Sequence, residues 1–313
     1  MMAPMTPKPV RTPDTPSFCQ VSPGSSAIAL AVSPPPRYAR TMPHVDVPGA
    51  RLYYETAGHA SEEPLLLLHA GIATLRMWDP LIDSLAPNHY VIRYDTRCFG
   101  QTSCQPSGFS DRDDARAILD HLGVSRATFI GASRGGRIAL DVAVETPERV
   151  AGIATIGSGP SGFPEVELTD EEDRICTDID QAWDAQDFGR ILDLETRLWA
   201  IGPLRNEDDL DPDFVRTAYE LGRSNLHHQP GVDAPADELE PPAYDRVVDL
   251  DVPALVTVGE FDLSRALLQF EYLAATIPGA RRHVLPDTAH LPSVERPKEF
   301  LDVLSPWLAE HGL

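Results

Sequence analysis

A serine between two glycines, a carboxylate at the end of an apolar run and a histidine in a later loop are the residues here whose types and spacing could do chemistry. Ser133 lies in Phe129-Ile130-Gly131-Ala132-Ser133-Arg134-Gly135-Gly136-Arg137-Ile138-Ala139-Leu140, which reads as a strand, a sharp turn and a helix. The turn in a G-x-S-x-G pattern is so tight that its flanking backbones nearly touch, so Gly131 and Gly135 have to be glycine. A serine hydroxyl is a poor nucleophile and needs a base, which in turn needs a carboxylate to orient it. The C-terminal third supplies both. Ala254-Leu255-Val256-Thr257-Val258 reads as a strand ending in Gly259-Glu260-Phe261-Asp262, and a short strand around His283-Val284-Leu285 runs into Pro286-Asp287-Thr288-Ala289-His290. The order Ser133, Asp262, His290 is the one that accompanies a serine on a strand-turn-helix elbow. His283 competes with His290 for the base, but a histidine inside a strand faces a sheet neighbour rather than a loop-built site. A plain helix N-terminal role is the competing reading of Ser133.

With these residues in place the chain resembles an α/β-hydrolase over roughly residues 43 to 313. Leu65-Leu66-Leu67-Leu68-His69-Ala70-Gly71-Ile72, followed by Trp78-Asp79, is similar to the family's histidine-glycine turn after its third strand, with Ala70 where the family usually has glycine. Tyr94-Asp95-Thr96-Arg97-Cys98-Phe99-Gly100-Gln101-Thr102-Ser103 resembles the family's aspartate-x-arginine-glycine-x-glycine-x-serine segment, with Cys98 and Thr102 as departures. Pro147-Glu148-Arg149 matches the approach to the next strand. The resemblance implies an α/β fold: a mostly parallel sheet flanked by helices, with an inserted helical cap. It also implies an oxyanion hole from the amides of Gly71, with Ile72 as runner-up, and Arg134. It favours Asp262 over Glu260 as the acid, and makes Asp95 and Arg97 structural. His69 reads as a packed or hydrogen-bonded histidine.

Composition frames the rest. The 313 residues carry a net charge of −22, which repels nucleic acid. No apolar run reaches the roughly 18 residues that span a bilayer. The expected organisation is an extension over residues 1–42, a first core part over 43–163, a helical cap over 164–251 and a second core part over 252–313. The first 42 residues hold nine of the 30 prolines and few large apolar groups, a composition that predicts disorder. A transit peptide and an over-extended start with Met42 as initiator explain them equally well. Cys19, Cys98, Cys104 and Cys176 show no metal spacing and read as free thiols of a cytoplasmic protein, with a bridge between Cys98 and Cys104 left open. His227 and His228 read as facing water rather than a metal.

Residues 165–251 hold 25 of the 48 acidic groups against seven arginines. Thr169 and Glu172 make a capping box before Ile175, Ile179, Ala182 and Trp183 at helical spacing. Phe188, Ile191, Leu192, Leu198 and Trp199 repeat the pattern, and Asp211-Pro212 opens a third helix bearing Phe214, Val215, Ala218 and Tyr219. Trp199 and Tyr219 are candidates to line a substrate pocket, with plain packing as the competing role. Arg134 could grip a substrate carboxylate or pair with a cap carboxylate. Within the family, the Tyr94-Asp95-Thr96-Arg97 wording and the helical cap most resemble 3-oxoadipate enol-lactonases, and the resemblance implies hydrolysis of a small ester or lactone without cofactor or metal, by a chain for which a homo-oligomer is compatible. A receptor on the same fold and a cofactor-free perhydrolase or haloperoxidase-like activity are the alternatives.

Overall fold

In the computed structural model, which describes residues 43–105, 107–226 and 236–313, four successive leucines from Leu65 to Leu68 are all fully buried. Leu66 and Leu68 point into one core and Leu65 and Leu67 into the other, because side chains alternate along a strand and this sheet is covered on both faces. The strands are β1 (His44–Val47), β2 (Ala50–Ala57), β3 (Glu63–Leu68), β4 (His89–Tyr94), β5 (Ser103–Cys104), β6 (Ala127–Ala132), β7 (Val150–Ile156), β8 (Ala254–Gly259) and β9 (Arg281–Leu285). Their order is β1-β2-β4-β3-β6-β7-β8-β9, with β5 paired to β2. The six strands from β4 to β9 along this order run parallel, and β1, β2 and β5 add an antiparallel edge.

The helices are α1 (Asp79–Leu85), α2 (Asp111–His121), α3 (Arg134–Glu145), α4 (Asp170–Asp184), α5 (Phe188–Glu195), α6 (Pro212–Arg223), α7 (Ser264–Thr276), α8 (Pro292–Glu295) and α9 (Pro297–His311). Helices α2, α3 and α7 close one face, and α1, α8 and α9 close the other. The expected α/β architecture is thus present. The connection from β7 to β8 carries α4, α5 and α6, so the helical character expected of this segment is also found. Its first helix begins with the capping box of Thr169 and Glu172, and α6 begins with Asp211 capping and Pro212 at its first turn. After α5 the chain does not continue as regular helix: residues Thr196–Ile201 form a π-helical turn that ends at Gly202.

Residues 1–42, together with His227 and His228, lie outside the described residues. Among the described residues no helix is long and apolar enough to cross a membrane. The free-thiol expectation needs correction for two residues: Cys98 and Cys104 are joined by a disulfide across six positions, Cα atoms 5.9 Å apart, while Cys176 is a free thiol. Spacing could not decide this, because it is Cys98 in the left-handed region (φ 62) that folds the loop back on itself. Such bridges persist in oxidising compartments and are rare in a reducing cytoplasm.

Candidate active site

Ser133 stands between β6 and α3 at the C-terminal end of the parallel strands, where open α/β sheets bind ligands. Its backbone has φ 50 and ψ −116, a strained conformation for a residue with a Cβ. Only glycine fits on either side. A Cβ on Gly131 would come 2.3 Å from the Gly135 carbonyl oxygen, and one on Gly135 would come 2.2 Å from that of Leu68. Although Ser133 occupies the N-cap position of α3, its side chain does not cap the helix, so the bland helix-start role is not the one it plays. Its amide instead bonds the Ile156 carbonyl at the end of β7 (2.8 Å).

The structure brings Asp262 and His290 together. Nδ1 of His290 donates to both carboxylate oxygens of Asp262, at 2.8 and 3.0 Å, and both residues are buried. Oδ1 of Asp262 also accepts from the Leu263 amide (2.8 Å), which fixes the carboxylate. With Nδ1 carrying the proton, Nε2 is the basic nitrogen, and it makes no hydrogen bond among the described residues. Gly157, immediately after Ile156, lies against this pair: at φ +55, a Cβ there would fall 2.6 Å from Oδ2 of Asp262 and 2.9 Å from Nδ1 of His290. It was not among the sequence candidates. His283 pairs with Thr257 inside the sheet, and Glu260 bonds the Asp287 amide (3.1 Å).

Gly71 and Ile72 form the tip of a turn after β3 closed by the Ala73 amide on the Ala70 carbonyl (3.0 Å). His69 supports that turn. Nε2 accepts from the Thr96 amide (3.0 Å), leaving Nδ1 to donate to the Ala70 carbonyl (2.8 Å). Burial holds this ring neutral, with its pKa pulled down to about 3. Asp95 accepts from the amides of Leu75 and Gln101 (both 2.8 Å), and Arg97 makes a buried two-pronged pair with Asp114. Arg134 is engaged: its guanidinium bonds both carboxylate oxygens of Asp111 (2.7 and 2.9 Å) and Oγ1 of Thr96 (2.6 Å), and lies over the Phe99 ring. Its carboxylate partner therefore comes from α2 and not from the β7 to β8 insertion.

The π-helical turn places the Trp199 ring 4.9 Å from that of His290, and the Trp199 carbonyl accepts from the His290 amide (3.4 Å). Tyr219 sits within the insertion, its hydroxyl donating to Glu207 (3.2 Å); burial first, then the Glu207 carboxylate, pushes its pKa up to about 12. Three more side chains of the insertion reach the site's loops, and local sequence pattern reveals none of these contacts. Glu172 accepts from the amide (2.7 Å) and hydroxyl (2.6 Å) of Ser264, two residues after Asp262. Arg205 bonds Glu295 (2.7 and 3.0 Å) and the Asp287 carbonyl (2.9 Å) below the histidine loop. Asn225 bonds the Ala73 carbonyl (3.1 Å). Among the described residues no group of three or more His, Cys, Asp or Glu could hold a metal ion.

A family model for the α/β hydrolase fold matches residues 63–297. The chain belongs to this enzyme family. It is 27% identical over 262 residues to 3-oxoadipate enol-lactonase 2 of Acinetobacter baylyi, covering 80% of this chain and 90% of that one. It is 26% identical over 270 residues to a Bacillus subtilis protein provisionally named a 2-succinyl-6-hydroxy-2,4-cyclohexadiene-1-carboxylate synthase, covering 83% and 95%. Among solved structures, Est816, described as an N-acyl homoserine lactone degrading enzyme, superposes with a TM-score of 0.65 at 27% identity, covering 84% of this chain and 99% of that one.

Proposed function

We propose that this α/β-hydrolase cleaves a small carboxylic ester or lactone through an acyl-enzyme on Ser133. The observation that carries the reading is the buried hydrogen bond from His290 to Asp262, which leaves Nε2 of His290 basic at the end of the sheet where the strained Ser133 elbow stands. Nε2 takes the hydroxyl proton as Ser133 Oγ attacks the carbonyl. Asp262 holds the tautomer and stabilises the imidazolium. The amides of Gly71 and Arg134 receive the oxyanion, and the imidazolium returns the proton to the leaving alkoxide. A water activated by the same histidine then releases the acid. The insertion acts as a cap with Trp199 in its lining and most of its acidic groups outward, the exceptions being Glu172, which is buried, and Glu195, whose Oε1 is buried. The likeness to an enol-lactonase supports a lactone as the finer reading.

A panel of lactones and short and long aryl and alkyl esters, run on the natural protein beside Ser133→Ala, tests this. Loss of at least about three orders of magnitude in turnover with the fold intact is expected. Residual activity within tenfold of the natural protein would exclude a serine mechanism. Because alanine at φ 50 keeps the strain that serine bears, the variant should melt within a few degrees of the natural protein.

A further inference from the structure

The side-chain amide of Asn225, two residues beyond α6, is used at both ends. Nδ2 donates to the Ala73 carbonyl in the turn that carries Gly71 (3.1 Å), and Oδ1 accepts from the Gly100 amide (3.4 Å) in the loop closed by the Cys98/Cys104 disulfide. The last turn of α6 lies on the same spot: a Cβ built on Gly222 would sit 3.9 Å from the Ile72 carbonyl oxygen. An oxyanion donor works only if its N–H is held where charge develops, and a short loop turn supplies little rigidity of its own. His69 fixes the front of this turn through the Ala70 carbonyl, and Asn225 fixes its back through the Ala73 carbonyl.

We propose that Asn225 is a positioning residue, holding the Gly71 amide in register for the oxyanion so that seating of the insertion on the core sets turnover. This rests on the acyl-enzyme reading above.

The test compares the natural full-length protein, Asn225→Ala and Asn225→Asp on a neutral aryl acetate, with active sites counted from the acyl-enzyme burst. For Asn225→Ala, kcat per titrated site should fall about 10- to 100-fold with KM within about threefold, since a displaced donor costs somewhat less than a deleted one. Binding of an arylboronic acid, which forms a tetrahedral adduct on serine, should weaken by the same factor. Amide hydrogen exchange across residues 70–73 should speed up. Asn225→Asp keeps an acceptor for Gly100 but sets a carboxylate against the Ala73 carbonyl, so it should be no better than alanine. Activity of Asn225→Asp near that of the natural protein, kcat per site within twofold for Asn225→Ala, or unchanged exchange at 70–73 would each overturn the role. If the natural protein itself shows no Ser133-dependent turnover, the acyl-enzyme reading falls and this role falls with it; unchanged exchange alone overturns only the role of Asn225.

Discussion

Arg205 and Glu295 form a buried, two-pronged ion pair 90 positions apart in sequence, tying the insertion to α8 just after His290. Oε2 of Glu295 also accepts from the Ala289 amide (3.2 Å), so one carboxylate grips both the insertion and the residue before His290. Removing one partner of a buried pair strands the other charge, at a cost of about 3–5 kcal/mol. Glu295→Ala should therefore lower the melting temperature by roughly 6–15 °C and reduce kcat, while the double variant with Arg205→Leu should lose less than the two single losses combined. Calorimetry on the four proteins checks this, and additive losses would mean the pair is not coupled.

Gly157 offers a test of the site's geometry that replaces none of Ser133, Asp262 and His290. In Gly157→Ala the new methyl at φ +55 collides with the Asp262 carboxylate and the His290 ring, so the pair has to part or the β7 end has to shift. Turnover should fall at least about 100-fold, in line with the cost of misplacing a catalytic group by about 1 Å. Gly108→Ala, where a Cβ meets nothing within 4 Å, is the control and should retain full activity. Equal activity in the two variants would show that the His290 and Asp262 contact is not needed in this form.

The sequence makes the elbow legible because the demand at Gly131 comes from Gly135 within the same turn, whereas Gly135 itself has to be glycine against the Leu68 backbone of β3, which no local pattern records. The meeting of Asp262 with His290 is legible from the order of elements: each lies in the loop that follows a short strand, and adjacent parallel strands β8 and β9 bring those loops together. The capping box of Glu172 is visible too, but its bonds to Ser264, 92 positions on, are not. The Arg205 and Asn225 contacts are equally hidden, because they depend on how the insertion sits on the core and no periodicity records that. Gly157 is visible only as one more glycine after a strand. The π-helical turn is hidden because Leu198 and Trp199 continue the apolar spacing of α5 while the backbone changes pitch beneath them.

Arg134→Leu separates two roles for the guanidinium beside the nucleophile. With its guanidinium already bonded to Asp111 and Thr96, Arg134 is expected to brace the elbow against α2. Losses in kcat/KM should then be similar for an anionic lactone and a neutral aryl ester, and stability should drop slightly. A selective loss of about 1.5–3 kcal/mol on the anionic substrate would instead assign Arg134 to carboxylate recognition. The backbone amide stays in place, so the oxyanion contact is not what this substitution probes.

Glu195, at the end of α5 just before the π-helical turn, gives the stability a pH dependence of known sign. Burial raises its pKa from 4.5 to about 7, against a smaller opposing effect of the Trp183 side chain, and Oε1 has no hydrogen-bond partner among the described residues. Its folded pKa lies above the unfolded value, so its contribution is fully present below about pH 4.5 and is lost as pH rises through about 7. His69 acts in the opposite sense: its folded pKa of about 3 lies below 6.5, so its contribution is present above pH 6.5 and lost as pH falls towards 3. Glu195→Gln removes the first effect and leaves the second in both proteins, where it cancels in the difference. The variant's stability relative to the natural protein should therefore climb between pH 4.5 and 7 by on the order of 3 kcal/mol and level off above that. Urea midpoints measured from pH 4 to 8.5 read it directly, and a difference that does not change with pH would mean that the Glu195 carboxyl titrates alike in the folded and unfolded chain.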